Sequence, residues 1–426
     1  MTKRLCLAAA VACALAQSAH AAGIEDIFSL RGYGTFGVAH SDNDEADVVN
    51  DLCSQEKGVG YTDSWSTRLD SKSALQIDMH FTDRLSGVVQ LVSESLSNKS
   101  WDGDINEEWV PTLEWANLSY KVTDELTVRA GRVVLPFLMS AEYSKVGFAN
   151  HWMRGPTEVY GQMPFASMDG GDVSYKQAHG DSTSTVRASY GGLAYRSYAF
   201  LAQVQMKTLS YTLEKGPLTA RAAYMGITFR SIHDLGLSPN YQQFANTAAA
   251  LNFDEAADVA SEVARTFRHT WYPSKWYTVG ATYDPGAWFV LGELVHSDQR
   301  RIPSDYTTGY VSGGVRMGKL TPYATFSKVE FDKEDHVIPT AGMPAELAGF
   351  ADALNTALDG AFTGDRSQQT LSVGLRWDVY NGFALKAQYD HVMLDDNSLG
   401  LFANRQPGFD RGGNTNVVGL SVDFVF

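Results

Sequence analysis

Basic side chains lie on the polar side of several segments in which apolar and polar residues alternate. An arginine fork can hold a carboxylate with two hydrogen bonds, and a lysine attracts anions as a compact charge. Cations that line a narrow passage lower the barrier for anions. The pattern indicates a polar wall that favours anions, with small carboxylates as candidate solutes. The basic residues of this set are Arg31, Lys72, Arg129, Arg187, Arg221, Arg316, Arg376 and Lys386.

Acidic residues on the same polar faces support a second interpretation. Carboxylates opposite the cations would balance their charge and hold the wall rigid without selecting any solute. The sequence leaves both interpretations open. The acidic residues concerned are Asp70, Asp78, Glu293, Asp378, Asp390 and Asp423.

A long connection over residues 134–170 carries charges of both signs among aromatic rings. Opposite charges that face a basic wall would create a transverse field at a constriction. We expect Glu142, Lys145 and Arg154 to line the narrowest part of the passage. Most of the rings are expected to pack the connection against the wall. The other charged residues and rings of this connection are Glu158, Asp169, Tyr143, Phe148, Trp152 and Tyr160.

Residues for hydrolysis or metal binding form no specific pattern. His269, His296 and His391 have no neighbouring Ser or Asp arrangement of the kind that a hydrolase needs. The acidic stretch 42–47 offers oxygen ligands but lacks the glycine and the distant glutamate of a twelve-residue calcium loop. We therefore predict no catalytic residue, no metal and no cofactor, and we keep an outer-membrane hydrolase as a minor alternative.

Seven short turns separate the alternating segments and set the predicted architecture. Each turn is flanked by two runs of about ten residues, and two unpaired runs at the ends bring the count to about sixteen strands, as expected for a bacterial barrel. This predicts an all-β fold, a transmembrane antiparallel up-and-down β-barrel. The turns lie at residues 82–84, 123–125, 179–181, 214–216, 284–286, 318–320 and 380–382.

The remaining connections are long and are expected to be external loops, because both chain ends lie on the side of the short turns. We expect the loop over residues 134–170 to fold into the barrel. Helical periodicity predicts short helices in the insertions 241–267 and 343–362. These helices would either cover the pore mouth or pack the loops together.

The last strand indicates which face meets lipid. Val418, Leu420 and Val422 alternate with Ser421 and Asp423. A charged residue facing lipid at the midplane would cost about 2 to 4 kcal/mol. We therefore predict an apolar outer face and a polar lumen. The strand after Gln369 repeats the pattern, with Leu371, Val373, Leu375, Trp377 and Val379 outward.

The N-terminal residues indicate where the protein is located, and the net charge limits which partners it can have. Residues 1–21 have the basic, apolar and small-residue parts of a cleaved export signal, which we favour over a membrane anchor or a lipid attached to Cys13. The barrel would then occupy residues 22–426. The chain has 34 basic and 49 acidic side chains, so nucleic acid is not an expected partner.

The chain resembles the trimeric general and substrate-specific porins of the Gram-negative outer membrane. The export signal, the first strand over residues 30–37, the long third loop and the last strand ending at Phe426 carry this resemblance. Within that class, residues 39–47 and 131–136 are similar to a group of porin-like proteobacterial proteins. The resemblance implies a homotrimer in which each barrel has its own pore, narrowed by the third loop.

The resemblance also implies partners and a location. The protein would lie in the outer membrane, in contact with lipid and lipopolysaccharide, and the barrel-assembly machinery would recognise the terminal strand. The predicted function is passive diffusion of small hydrophilic solutes, with a possible preference for anions or carboxylates, and no enzymatic activity. A receptor or adhesin whose external loops carry the function is the alternative from another class.

Overall fold

The computed structural model describes residues 27–99, 105–109, 111–163, 165–196, 201–231, 237–266, 272–299, 304–332, 337–359 and 364–426. Sixteen antiparallel strands close a barrel, and each pairs with its neighbours in the sequence. The strands are β1 Phe28–Ser41, β2 Lys72–His80, β3 Leu85–Glu94, β4 Thr112–Lys121, β5 Leu126–Val134, β6 Ser167–His179, β7 Ser182–Arg196, β8 Leu201–Lys215, β9 Leu218–Ser231, β10 Tyr272–Tyr283, β11 Trp288–Asp298, β12 Tyr306–Val315, β13 Leu320–Phe331, β14 Gln368–Tyr380, β15 Phe383–Leu394 and β16 Asn414–Val425.

The predicted fold is confirmed, including the strand count. All seven predicted turns join two strands of the barrel at the same end. Exposed aromatic side chains surround this end, as they do where a barrel wall crosses a membrane interface. These side chains are Phe81, Tyr120, Tyr283, Trp288, Trp377, Tyr380, Phe383 and Phe426.

The barrel closes where β1 meets β16. Tyr33 pairs with Val425 and Ser41 with Val417, so the seam runs over nine residue pairs. Beyond β16, the backbones of Gly32 and Phe426 exchange two hydrogen bonds of 3.0 and 2.9 Å. The first and last strands therefore form a continuous part of the wall.

The alternation of the last strands follows the prediction. Val418 and Leu420 are exposed on the outside, whereas Ser421 and Asp423 are buried inside. In β14 the predicted alternation of outward and inward side chains stops at Asp378. The reason is that the pairing register with β15 shifts between Asp378 and Tyr380. Val379 lies at this bulge and so leaves the outward set.

The prediction of a polar lumen is wrong for a large part of the wall. A cluster of buried apolar residues fills the interior against the long β5–β6 connection. The strands contribute side chains from their inward faces because water is excluded there. The strand residues of this cluster include Val204, Met206, Met225, Ile227, Trp276, Phe289, Tyr310, Tyr323 and Val329.

In the described residues, the loops carry four helices and six short strands. The helices are α1 Thr157–Tyr160, α2 Leu237–Ala250, α3 Asp254–Thr266 and α4 Ala345–Leu358, and a 3-10 turn covers Gly147–Ala149. None of the helices in the described part of the chain is long and apolar enough to cross a membrane. The short strands pair Asp47–Val48 with Val59–Gly60 and Phe402–Ala403, Leu96–Lys99 with Ile105–Glu108, and Trp65–Ser66 with β1.

Helices α2, α3 and α4 pack into one cluster although they come from two different loops. Tyr241 and Phe244 of α2 and Leu354 of α4 belong to its buried core. The Tyr241 hydroxyl donates a hydrogen bond of 2.8 Å to the Leu354 carbonyl oxygen. The helices therefore hold the β9–β10 and β13–β14 loops together.

Two glycines of β1, Gly32 and Gly34, leave room for the rings of Phe426 and Phe424 to lie against the wall. A Cβ atom on Gly34 would come within 2.5 Å of the Phe424 ring. We expect Gly34→Ala to displace this ring and to lower the free energy of unfolding by about 1 to 3 kcal/mol, the usual cost of overpacking. Urea unfolding of the protein refolded in lipid vesicles measures the change.

Gly226→Ala is the matched control. A Cβ atom there meets the flexible side chain of Lys207 at 2.9 Å, which can move at little cost. Equal losses of stability in the two variants would contradict the role of the Gly34–Phe424 contact.

Candidate functional site: the constriction inside the barrel

The connection between β5 and β6, residues 135–166, crosses the interior of the barrel and is called L3 below. Its apolar anchors are Phe137, Trp152 and Phe165, which are at most 6% exposed. Burying a side chain of this size stabilises by about 1.5 to 3 kcal/mol. L3 is therefore held inside by the same effect that holds a protein core.

Arg154 fixes L3 both to the β1–β2 connection, through Asp70, and to strand β15, through Asp390. Its Nε and Nη2 atoms donate to the two carboxylate oxygens of Asp70 at 3.0 and 2.6 Å, and Nη1 donates to Asp390 at 2.7 Å. Burial disfavours the charged guanidinium, but the two carboxylates outweigh it and raise the pKa of Arg154. The sequence places this residue along an open passage, whereas the structure buries it as a clamp.

Lys145 joins the tip of L3 to the opposite wall. Its ammonium donates to Glu94 of β3 at 2.6 Å and to Glu114 of β4 at 3.1 Å. Burial lowers the pKa of Lys145 and the two carboxylates raise it, with a net increase. The Lys145 side chain keeps about a quarter of its surface exposed, at 28%. Lys145 is therefore the basic residue of L3 that forms ion pairs with the wall and also keeps part of its side chain exposed to the lumen.

Three arginines on alternate strands surround one side of L3. Arg129 and Arg187 share Asp172 at 3.0 Å each. Arg221 donates to Glu142 at 3.2 Å and to the Leu138 carbonyl oxygen at 2.6 Å. Among the described residues, these three cations form ion pairs with two carboxylates, Glu142 and Asp172, and the buried Glu293 interacts with Arg221 over a longer distance.

Arg376 and Lys386 bind the backbone of L3 from the other side. Arg376 donates to the carbonyl oxygens of Phe148 and Asn150 at 2.7 and 2.8 Å and also pairs with Asp378. Lys386 donates to the Gly147 and Trp152 carbonyl oxygens and pairs with Asp423 at 2.9 Å. Their positive charges are used to hold L3.

Arg316 differs from the other predicted cations in its position. It follows the end of β12 and pairs with Asp284 through two hydrogen bonds of 2.6 and 2.7 Å at a short turn. Hydrogen bonding from Arg316 lowers the pKa of Asp284. This pair lies at the turn end of the barrel, away from the L3 tip.

Two further L3 residues have buried polar contacts whose importance the sequence does not reveal. Glu158 accepts hydrogen bonds from Ser327, Gln368 and Thr370 without a cationic partner among the described residues. His151 contacts the Ser312 hydroxyl at 2.8 Å. No periodic signal distinguishes His151, because its site is assembled from distant strands.

Several other predicted residues lie elsewhere. Asp169 belongs to β6, not to the connection, and forms a two-pronged ion pair with Arg132 on the outer face. His296 contacts Thr307, and His391 contacts Asn416, so neither is placed beside a Ser or Asp nucleophile. His269 lies outside the described residues, as does the predicted signal 1–21. Over the described residues, no group of three or more His, Cys, Asp or Glu side chains could hold a metal.

An open cavity of about 400 Å³ remains between L3, the wall at β2 and β3, and the β1–β2 connection, which is called L1 and covers residues 42–71. We call it the L1–L3 cavity. Lys145 forms part of its lining together with Lys72, Glu94 and Asp70. The contact of Lys145 with Glu94 and Glu114 therefore lies at the edge of the free space in the barrel.

A family model described as Gram-negative porin matches residues 8–397 of the chain. The chain belongs to the Gram-negative porin family. It is therefore an outer-membrane porin, with its short turns in the periplasm and its long loops outside. Comparison with curated protein sequences gives no match.

Solved structures with the same fold cover nearly the whole porin. OmpT of Vibrio cholerae in its trimer form has 11% identity and a TM-score of 0.51, over 94% of this chain and 100% of that one. OmpF of Salmonella typhi, in complex with daunomycin, has 11% identity and a TM-score of 0.51, over 93% and 97%. The anion-selective porin from Comamonas acidovorans has 13% identity and a TM-score of 0.50, over 94% and 99%.

The Arg154 clamp predicts how the porin responds when L3 is released. Arg154→Gln leaves Asp70 and Asp390 buried without their cation, which should cost about 3 to 5 kcal/mol of unfolding free energy. A freed L3 should also make the single-channel current larger and noisier. Arg316→Gln breaks an exposed pair and should cost about 1 kcal/mol or less. Similar effects of both substitutions would contradict the clamp.

The environment of His151 predicts a dependence on pH. Burial, and then the nearby charges of Lys386, Arg376 and Arg316, lower its pKa to about 3. The unfolded chain therefore takes up this proton first as the pH falls below about 6.5, and the folded state loses roughly 1.4 kcal/mol per pH unit. We expect the stability advantage of wild type over His151→Gln to shrink between pH 7 and pH 4.

Urea unfolding at both pH values measures this difference. His296→Gln is the control, because His296 lies on the exposed surface beside Thr307. An advantage of wild type over His151→Gln that does not change with pH would show that His151 is not held neutral by its site.

Proposed function

We propose that the porin is a passive pore for small hydrophilic solutes whose narrowest point lies where Lys145 meets Glu94 and Glu114. The observation that supports this most directly is the position of L3. It packs against β7, β9 and β11–β16, and the L1–L3 cavity remains on the side of β2 and β3. Solutes would pass from this cavity along the exposed part of the Lys145 side chain.

We propose a preference for anions, which the group of three cations Arg129, Arg187 and Arg221 supports. Among the described residues these cations form ion pairs with two carboxylates, Glu142 and Asp172, while Glu293 acts on Arg221 over a longer distance. Three of the other cations predicted to line the pore are neutralised: Arg154 by Asp70 and Asp390, Arg376 by Asp378, and Lys386 by Asp423. The preference would therefore be modest, because most of the predicted cations are paired. The structurally similar porin from Comamonas acidovorans is described as anion-selective.

The proposed assembly is a homotrimer that contacts through the wall formed by β1–β5. Strands β2 and β5 have nine residues each, whereas β7 and β8 have fifteen. The barrel wall is therefore shorter at β2 and β5 than at β7 and β8. Its outer surface exposes Leu113 and Leu118. OmpT of Vibrio cholerae also occurs in a trimer form.

The proposed path to the membrane uses both ends of the chain. Residues 1–21 would act as a cleaved export signal, leaving residues 22–426 as the barrel. The barrel-assembly machinery would read the strand ending at Phe426, and lipopolysaccharide would contact the external half of the wall. The helical cluster of α2, α3 and α4 would cover part of the external mouth.

We propose that the porin has no enzymatic activity. His151 contacts the Ser312 hydroxyl at 2.8 Å and His296 the Thr307 hydroxyl at 3.0 Å, but among the described residues neither ring has a carboxylate hydrogen-bonded to it that would complete a catalytic triad. The alternative of a receptor or adhesin is tested by conductance, since a blocked barrel would carry no current in a lipid bilayer. Lipid and peptide hydrolysis by purified protein tests the alternative of a hydrolase.

Arg129 offers a selective test of the anion preference. Arg129→Gln removes one positive charge, and Asp172 keeps Arg187 as its partner at 3.0 Å. Wild type in a potassium chloride gradient should show a reversal potential displaced toward that of chloride, and the variant should move toward that of potassium. Arg316→Gln, at the exposed turn, is the control. Cation selectivity of wild type would contradict the proposal.

A further inference from the structure

The L1–L3 cavity has the size of a small-molecule site. Its volume of about 400 Å³ is within the range of about 300 to 1,000 Å³ that ligand pockets occupy. L1 covers it from outside: the Ser54 hydroxyl reaches the Tyr195 hydroxyl at 3.0 Å, and the Gln55 amide donates to the Ser95 carbonyl oxygen at 3.2 Å. The cavity is therefore bounded on several sides and lies before the constriction.

One side of the cavity is apolar. L3 contributes Leu135, Phe137, Leu138 and Phe165 to its lining. Each of these side chains is at most 6% exposed, so they form a packed surface whose position is fixed. A solute that is hydrophilic throughout gains nothing from such a surface, whereas an apolar group removes its own area from water there.

The lining of the cavity also includes a cation, Lys72. Lys72 lies directly across from Glu94 in the β2–β3 register. The Glu94 carboxylate, however, is bound by Lys145 at 2.6 Å. Lys72 forms no ion pair or hydrogen bond with any residue in the described ranges, although its charge acts on Glu94 over a longer distance.

The other acids around the cavity are also occupied. Asp70 is held by Arg154 at 2.6 Å. Asp51 accepts hydrogen bonds from the backbone of Cys53 and Ser54, and burial raises its pKa to about 6. The Glu94 and Asp70 carboxylates are therefore each bound by a cation, and Asp51 is held by backbone hydrogen bonds, which lowers the repulsion that a negative solute meets beside Lys72.

We propose that the L1–L3 cavity is a binding subsite for small monocarboxylates that carry an apolar or aromatic body. The carboxylate pairs with the Lys72 ammonium, and the body packs against Leu135, Phe137 and Phe165. This inference rests on the proposed pore function and adds the class of solute that the pore retains on its way.

The same surroundings disfavour other small solutes. An organic cation of equal shape would place its charge beside Lys72. A dicarboxylate would bring its second charge toward Asp70 or Asp51, or against the apolar side. A short carboxylate such as acetate would keep the ion pair but lose the contact with the L3 side chains.

Benzoate is the probe for this site, with acetate and benzylammonium as matched comparisons. Single-channel current of the full porin is recorded in potassium chloride while each compound is added to the external side. We expect benzoate to block at concentrations at least tenfold lower than acetate or benzylammonium. Equal block by benzoate and acetate, or stronger block by benzylammonium, would overturn the inference.

Three variants locate the site. Lys72→Gln should weaken the benzoate block at least tenfold, and Lys72→Arg should retain it, because the charge is kept. Lys275→Gln changes a lysine that pairs with Asp298 at 3.9 Å at the loop end of β10 and β11, and should leave both conductance and block unchanged. A block by benzoate that survives Lys72→Gln would place the binding elsewhere.

A separate binding measurement distinguishes this inference from the pore function. Calorimetric titration of the detergent-solubilised porin with benzoate should give heat of binding that is lost in Lys72→Gln and kept in Lys72→Arg. A wild-type protein that conducts but binds no benzoate overturns the subsite alone. A protein that binds benzoate but carries no current overturns the pore and leaves the subsite standing.

Discussion

The packing of L3 on the inner wall is the interaction on which the rest of the structure depends. Phe137, Trp152 and Phe165 of L3 are buried among apolar side chains that point inward from the strands. In an ordinary aqueous pore these inward positions would face water and would be polar. L3 turns part of the lumen into a hydrophobic core, and the L1–L3 cavity lies on the side of L1, β2 and β3.

The ion pairs inside the barrel hold the packed loop L3 in place and do not stand along an open, water-filled wall. Arg154 ends in two buried carboxylates, and Arg376 and Lys386 donate to L3 carbonyl oxygens. A buried pair of this kind gains little over an apolar replacement, but removing one member leaves an uncompensated charge. Such pairs fix one position of L3, and they also withdraw most of the basic side chains from contact with solutes. Over the described ranges, the cations left for selection are the group at Arg129, Arg187 and Arg221 and Lys72, which forms no ion pair there.

The outer face of the barrel wall changes from apolar residues near the periplasmic end to polar residues near the external end. In β8, Leu209 and Tyr211 are exposed on the outside near the periplasmic half, whereas Gln203 and Gln205 take the same outward face near the external end. Val204 and Met206 point inward at that height and are buried. The reason is that lipid surrounds the lower wall, while water surrounds the upper wall and loops fill its interior. The apolar face therefore moves from the outside to the inside without any shift of register.

The sequence by itself determined the architecture, because tight turns and two-residue alternation are local signals. The seven turns, the outward set at Val418 and Leu420 and the helical stretches in two loops follow from patterns within about twenty residues. Only the tertiary structure decided which polar residues are free. Arg154 and Asp390 are 236 positions apart, and Lys145, from a distant loop, binds Glu94, which stands across from Lys72 in the strand register. Pairing between distant segments depends on where L3 packs, and no local spacing records that.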